Sequence, residues 1–288
     1  MRTIFRYTLS RFRGQILGWG ISLLLLGLML MWFYPSIAEQ QESFEQLLEI
    51  YPPELSAFFG DLSAMVTPEG FLSIEYFSYM PLILGIFAVL MGSGLLVSDE
   101  ENGTLDLVLA HPVSRTALFF GRLIAFVVAT LAILAISWLG LVLGTVATSL
   151  NLGWGEMALP FLSVLAMLLL FGALALLLSM LLPSRRLAAM TAGLVLVASF
   201  FITGLARIIE DLETAAKFSP LNYYQSGEAM NGLNQEWFWG LVAFAVLFAL
   251  LAWWRFLRRD VRVGGEGGWR LPSLSLPFRR RTEAGREA

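Results

Sequence analysis

Six apolar stretches, each about as long as a membrane is thick, constrain the fold of this chain more than any other feature of its sequence. About 20 helical residues are needed to cross the roughly 30 Å hydrocarbon core of a bilayer. The composition agrees: 57% of the residues are hydrophobic and 14% are charged, against about 25% charged in a soluble domain. We therefore predict an all-α polytopic membrane protein with six transmembrane helices, at about residues 15–34, 76–97, 123–150, 157–182, 187–206 and 237–256.

The segments outside these stretches differ in charge and pattern. Residues 1–14 place Ile4, Phe5, Thr8, Leu9 and Phe12 at helical spacing, which predicts an amphipathic helix lying in the headgroup region; a lead-in that is merely basic is the alternative. Residues 35–75 and 207–236 are polar and acidic, and they predict two outer loops. Residues 257–288 are basic and rich in Gly and Pro, and they predict a flexible tail.

The distribution of basic residues predicts the orientation. Seventeen of the 19 Lys and Arg residues fall in the N-terminal segment, the loop 98–122, the connector after Leu182 and the C-terminal segment from Arg255 on. The two others, Arg207 and Lys217, fall on the opposite side. Because basic residues concentrate on the cytoplasmic side, we predict a multi-pass protein of the cytoplasmic (inner) membrane with both termini in the cytoplasm.

The loop 98–122 is the one connector that combines both charge signs, a turn and a helical pattern. Its first part, from Ser98 to Gly103, is polar and rich in residues that start helices. Thr104 to Ala110 then reads as a short helix that Pro112 ends. We predict a short cytosolic helix with acids at one end and apolar side chains on one face. An ordinary connector whose charges face water is the alternative.

The run Glu101-x-Gly103-Thr104-Leu105-x-Leu107-x-Leu109-Ala110-x-Pro112-Val113-Ser114-Arg115 resembles the loop between the second and third spans of ABC-2 type transporter permeases. The resemblance implies a type V exporter-like fold, in which this loop is a coupling helix that docks on a separate ATP-hydrolysing subunit. It implies that the acids pair with basic groups of the ATPase, that Leu105 and Leu109 fill its groove, and that Gly103 supplies a turn. The implied docking residues are Asp99, Glu100, Glu101, Gly103, Thr104, Leu105, Asp106, Leu109, Pro112 and Arg115.

The sequence lacks the residues that ATP binding, ion-driven transport and metal binding usually require. The only lysine, Lys217, belongs to no G-x-x-x-x-G-K-[ST] phosphate loop. Apart from Arg255 at the end of the sixth, the predicted spans contain no Asp, Glu, His or Arg, the groups on which ion-driven transport depends. The chain has no cysteine, and its single histidine, His111, excludes an H-E-x-x-H zinc site. We therefore predict no catalytic residue, no metal site and no cofactor bound by this chain; ATP and Mg²⁺ would be held by the partner subunit.

The family resemblance also implies which subunits make up the transporter and what the transporter does. It implies two ATPase subunits per transporter, together with a second copy of the permease or a paralogue, in contact with membrane lipids and without nucleic acid. It implies export, and the apolar spans favour a hydrophobic or amphipathic substrate such as a drug, a peptide antibiotic or a lipid, as in multidrug efflux. Two alternatives stay open: a sensor subunit that binds a ligand through its outer loops, and a structural or assembly factor.

Overall fold

A computed structural model describes residues 1–39, 64–65, 67–105, 113–148, 150 and 152–259. Over these residues the fold is helical, and six helices are long and apolar enough to cross a membrane, which confirms the predicted polytopic class. We call them spans 1 to 6: Arg13–Ala38, Pro68–Gly94, Arg115–Thr148, Trp154–Leu181, Arg185–Leu205 and Gln235–Arg258. Residues 40–63 of the predicted first outer loop and the tail beyond residue 259 lie outside the described residues.

An N-terminal helix, Arg2–Arg11, precedes span 1 and packs along span 3. Thr8 is buried in that contact. The apolar residues predicted on the same face, among them Ile4 and Phe12, are partly buried against the core. The amphipathic spacing therefore produces a helix with one covered face.

Span 4 is the centre of the bundle. It contacts spans 2, 3, 5 and 6, and 72% of its apolar window is buried, against 22% for spans 1 and 6. Span 1 packs instead on span 3, where a Cβ at Gly140 would lie 2.6 Å from the backbone of Leu24. This close approach of two helices explains the Gly140-x-x-x-Gly144 spacing.

Span 2 is composite and begins earlier than the apolar run predicts. It consists of a short helix, Pro68–Leu72, a π-helical turn, Ser73–Phe77, and a longer helix, Met80–Gly94. The side chain of Thr67 accepts a hydrogen bond from the Gly70 N–H at 3.1 Å and caps the first turn, and Pro at the first helical position suits such a start. This start signal lies in a polar stretch, so hydropathy alone places the span too late.

The prediction that the spans contain no ionisable acid or base is therefore wrong. Glu75 lies in the π-helical turn of span 2, and Arg122 lies about two turns into span 3. Glu75 was assigned to the first outer loop, and Arg122 to the loop before span 3. Both helices extend beyond their most apolar residues, and both carry these charges into the bundle.

Between spans 5 and 6 the chain forms short helical turns at Glu210–Leu212, Glu213–Ala216, Pro220–Tyr223 and Ser226–Asn231. They pack against the first residues of spans 2 and 4 and against span 5. This segment lies at the end of the bundle where spans 2, 4 and 6 begin. Another short helix, Val97–Glu101, lies at the opposite end of the bundle, directly after span 2.

Candidate functional site

The short helix Val97–Glu101 occupies the start of the predicted coupling segment. It ends in a Schellman motif: the Thr104 N–H bonds to the Asp99 carbonyl at 2.9 Å, and the Gly103 N–H bonds to the Glu100 carbonyl at 3.1 Å. Gly103 has a φ of +67°, which glycine adopts without strain. The polar residues therefore end one helix, and Leu105, directly after the turn, is again helical. The remainder of the helix predicted from Thr104 to Ala110 lies outside the described residues and stays a prediction. The motif turns Asp99 and Glu100 toward the bundle and leaves residues 101–104 exposed.

Asp99 is the centre of the charged contacts. Its carboxylate accepts hydrogen bonds from Arg11 of the N-terminal helix at 3.0 Å and from Arg122 of span 3 at 2.5 Å. The side chains of Asp99 and Arg122 are 7% and 6% exposed, whereas that of Arg11 is 48% exposed. Arg122 also donates to the Leu95 carbonyl at 2.7 Å. A buried charge is tolerated only when it is paired in this way.

The surroundings of Asp99 favour its charged form. Burial alone would raise its pKa, but the hydrogen bond from Arg11 and the positive charge of Arg122 together hold the pKa of Asp99 below its ordinary value. In turn, the hydrogen bond to Asp99 raises the pKa of Arg11. Asp99 and Arg11 therefore stay charged at physiological pH.

Glu100 connects the same helix to the end of span 6. Its carboxylate accepts a hydrogen bond from Arg259 at 3.1 Å, and both side chains are nearly buried. Arg259 also donates to the Ser179 carbonyl of span 4 at 3.4 Å. Arg115, the first residue of span 3, donates to the Arg259 carbonyl at 2.7 Å. The positive charge of Arg115 near the last carbonyls of span 6 also interacts favourably with the dipole of that helix.

Glu101 and Ser98 connect the helix to the start of span 5. The Glu101 carboxylate accepts a hydrogen bond from the Arg185 backbone N–H at 2.9 Å, at the positive end of span 5. The Arg185 guanidinium donates to Ser98 Oγ at 2.9 Å and to the Leu90 carbonyl at 3.2 Å. Gly94 makes room for it, since a Cβ there would lie 3.0 Å from the guanidinium.

We call these groups the arginine cluster: Asp99, Glu100 and Glu101 together with Arg11, Arg122, Arg185 and Arg259. The cluster joins one short helix to the N-terminal helix and to spans 3, 4, 5 and 6. Within the described ranges, no group of three or more His, Cys, Asp or Glu residues could hold a metal ion. The arrangement is suited to transmitting a displacement, because the helix Val97–Glu101 is bonded to the N-terminal helix and to spans 3, 5 and 6, and through Arg259 to span 4.

Comparison with known proteins agrees with this architecture. The family described as "ABC-2 family transporter protein" matches residues 3–261. The chain belongs to this family. It is therefore a multi-pass membrane subunit of a transporter. It is also 26% identical, over 216 residues, to the uncharacterized membrane protein YdbK of Bacillus subtilis (strain 168), a match that covers 68% of this chain and 86% of that protein.

The structure gives the predicted docking residues of this ABC-2 protein different surroundings. Asp99 and Glu100 were expected to pair with a partner's basic groups, but both are buried and paired within the chain. Leu105 was expected to fill a partner's groove, but it is 2% exposed in the chain's own core. The burial follows from the Schellman turn, which directs these side chains inward.

The other predicted docking residues fall into three groups. Glu101, Gly103 and Thr104 are exposed at the turn, and they remain available to a partner. Arg115 is bonded to the end of span 6. The remaining three, Asp106, Leu109 and Pro112, lie outside the described residues, as does His111, so their docking role stays a prediction.

Sequence reasoning missed the four arginines that complete the cluster. A charge carried by a long apolar helix, such as Arg122 in span 3, calls for a buried partner, and the three consecutive acids after span 2 were the available candidates. That signal could have predicted the Asp99–Arg122 pair. Nothing in the local sequence of Arg11, Arg185 or Arg259 indicates its partner.

Proposed function

We propose that this chain is the membrane-spanning permease subunit of an ATP-driven exporter, and that it receives its driving force from a separate ATPase through residues 98–122. The observation that carries the proposal is the arginine cluster, in which the base of this segment is bonded to five helices. A push on the exposed turn 101–104 would reach the whole end of the bundle. ATP and Mg²⁺ would belong to the ATPase, of which two copies would act on two permease subunits.

The orientation that we propose places the arginine cluster on the cytoplasmic side. The basic residues of the described chain support it, because Arg11, Arg115, Arg122, Arg185 and Arg259 all lie at this end of the bundle. Basic residues concentrate on the cytoplasmic side of membrane proteins. This is also the side on which ATP is available, and both termini would lie there.

We propose a hydrophobic or amphipathic substrate, such as a drug, a peptide antibiotic or a lipid. Away from their terminal turns, the six described spans contain two acidic or basic residues, Glu75 and Arg122. Arg122 is paired with Asp99. A path built from such helices offers apolar contact to most of its cargo, with Glu75 as the group to which a cationic part of the substrate would be drawn.

The proposal is tested by changing the exposed turn while keeping every charged residue of the cluster; Thr104→Trp removes one neutral hydrogen bond, from Thr104 Oγ1 to the Asp99 carbonyl at 3.2 Å. Thr104→Trp enlarges an exposed side chain of the turn, whereas Thr214→Trp enlarges an exposed threonine at the opposite end of the bundle. The permease is purified from its native host together with the ATPase that accompanies it. We expect Thr104→Trp to reduce permease-dependent ATP hydrolysis at least tenfold and Thr214→Trp to leave it within twofold.

Two outcomes would contradict the proposal. One is equal ATP hydrolysis with both variants. The other is a stoichiometric partner that is a kinase or a transcriptional regulator instead of an ATPase, which would favour the sensor alternative. Membrane insertion of each variant is checked by its yield and melting temperature.

A further inference from the structure

A cavity of about 230 Å³ lies beside the arginine cluster. Its walls come from the N-terminal helix, the first turn of span 1, the last turns of span 2, the short helix Val97–Glu101, span 3 and the start of span 5. These are helix ends on one side of the bundle, where the headgroups of the surrounding lipids lie. Pockets for drug-sized ligands measure about 300–1,000 Å³, so the cavity is suited to a smaller group.

The cavity carries an excess of positive charge. Three arginines, Arg11, Arg122 and Arg185, line it together with a single carboxylate, that of Asp99. The charge of Arg122 is buried and paired with that of Asp99, and Arg122 also donates to the Leu95 carbonyl. The Arg185 guanidinium donates to two neutral oxygens and, within the described part of the chain, makes no ion pair. Arg11 is half exposed. An anion that enters the cavity therefore meets two guanidinium groups with donors to spare.

A second, open groove continues from this cavity along span 1. The groove measures about 620 Å³ and shares Arg11 and Gln15 with the cavity. Farther along it is lined by Gly14, Gly18, Trp19 and Ser22. A Cβ added at Gly14 or Gly18 would meet no atom within 4 Å, so the groove is open at the height of both residues. Its direction follows the helix axis, which is also the direction of the acyl chains in a bilayer.

From these two features together we propose that the chain binds one anionic phospholipid, with the phosphate of the headgroup between Arg11 and Arg185 and an acyl chain in the groove along span 1. Arginine holds phosphate oxygens in two parallel hydrogen bonds, and a headgroup at this place neutralises the excess charge of the cavity. The long groove beside the cavity is what distinguishes a lipid from a free phosphate ion, because only a lipid has a chain to lie in it. The proposal rests on the membrane location of the chain and not on its coupling to an ATPase.

The test measures lipid binding to the purified full-length chain in detergent. Phosphatidylglycerol, phosphatidylcholine and inorganic phosphate are added separately, and binding is read by native mass spectrometry and by the melting temperature. We expect phosphatidylglycerol to be retained at one molecule per chain and to raise the melting temperature. Phosphatidylcholine and inorganic phosphate are expected to do neither at the same concentration.

Two pairs of variants locate the site. Arg185→Gln removes a charge that lines the cavity, and Arg186→Gln removes the neighbouring exposed charge, which does not line it. Gly18→Leu fills the groove, and Gly240→Leu adds the same side chain at an exposed glycine of span 6 that also has open space around it. We expect Arg185→Gln and Gly18→Leu each to weaken phosphatidylglycerol binding at least tenfold. Their controls are expected to change it less than twofold.

Several results would overturn the proposal. Equal binding of phosphatidylcholine would indicate a general effect of lipid, and equal stabilisation by inorganic phosphate would indicate a site for a soluble anion. The same loss in Arg185→Gln and Arg186→Gln would indicate diffuse surface charge. Because Gly18→Leu alters no charged residue, it tests the acyl-chain part even if Arg185→Gln folds poorly.

Discussion

The two ends of the bundle are held together by different chemistry. At the end that contains the arginine cluster, which we call the charged end, Arg11 and Arg122 pair with Asp99, and Arg259 pairs with Glu100. At the opposite end, which we call the neutral end, the side-chain hydrogen bonds among the described residues join uncharged groups. The Tyr224 hydroxyl donates to the Phe77 carbonyl at 2.8 Å.

The neutral end is closely interlocked. The Gln225 N–H donates to Ser163 Oγ at 3.0 Å, and the Gln225 side chain accepts from the Asn234 N–H at 2.6 Å. Ser219 and Gln225 are both nearly buried. Neutral hydrogen bonds hold their geometry when nearby charges change, whereas ion pairs respond to any new charge. We therefore propose that the charged end responds to a partner or a lipid and that the neutral end keeps its geometry.

The largest expected effect comes from removing the carboxylate at the centre of the charged end. Asp99→Asn leaves Arg122 buried without its counter-ion, and breaking a buried pair in this way costs about 3–5 kcal/mol. We expect a correspondingly large fall in the free energy of unfolding, measured by denaturant titration in detergent. Glu101→Gln, at an exposed neighbour, keeps an acceptor for the Arg185 N–H; it serves as the control and is expected to cost at most about 1 kcal/mol, the contribution of an acid at a helix N-terminus. Equal stability of the two variants would remove the distinction between the ends.

A smaller effect is expected from one hydrogen bond of the neutral end. Tyr224→Phe leaves the Phe77 carbonyl without this donor, and the loss of a neutral hydrogen bond costs about 0.5–1.5 kcal/mol. Tyr223→Phe, which removes the more exposed bond to the Lys217 carbonyl, is the control and should cost less. ATP hydrolysis by the complex should be unchanged in both variants. A loss of coupling in Tyr224→Phe would show that the neutral end takes part in the response.

Acid should weaken the ion pairs of the charged end and so reduce their contribution to stability. Because the pKa of Asp99 is lower in the folded chain than its unfolded value of about 3.9, its pairing stabilises the fold fully above that value. The stabilisation is lost as the pH falls through the lower, folded pKa. The stability advantage of the native chain over Asp99→Asn should therefore be constant near neutral pH and shrink below about pH 4. An advantage that grows on acidification would contradict the assignment.

The smallest effect is expected at the exposed edge of the charged end. Arg11→Gln removes a partner that is 48% exposed, and exposed ion pairs contribute about 0–1 kcal/mol. The loss should shrink further as the salt concentration rises, because salt screens exposed charges. Melting temperatures at low and high salt measure this dependence. A loss as large as that of Asp99→Asn would mean that Arg11 is more enclosed in the membrane than the structure shows.

The sequence allowed the bundle to be predicted much better than its ends. Long apolar runs predict six spans because the bilayer fixes their length, and Gly140 and Gly144 predict a close helix contact that the structure contains. The start of span 2 was not predicted correctly, because Thr67 and Pro68 begin a helix inside a polar stretch. The end of the helix Val97–Glu101 in the turn at Gly103 was not predicted, because the same polar residues are favoured before and after a helix.

Most of the arginine cluster could not be predicted from the local sequence, for a different reason. Its ion pairs join residues that lie 88, 23 and 159 positions apart in the chain. Which of the 19 basic residues meets Asp99 or Glu100 is decided by the packing of the whole bundle. Sequence reasoning selected the segment on which the proposed function depends, but it did not predict that Asp99 and Glu100 pair within the chain.

The most direct test of the account asks what touches the exposed turn of the predicted coupling segment. The chain contains no cysteine, so Thr104→Cys and Thr214→Cys each carry a single thiol, to which a photoreactive cross-linker is attached in native membranes. The account predicts a cross-link from position 104 to a subunit with nucleotide-binding motifs, and none to that subunit from position 214. Cross-linking of such a subunit from both positions alike, or from neither, would contradict it.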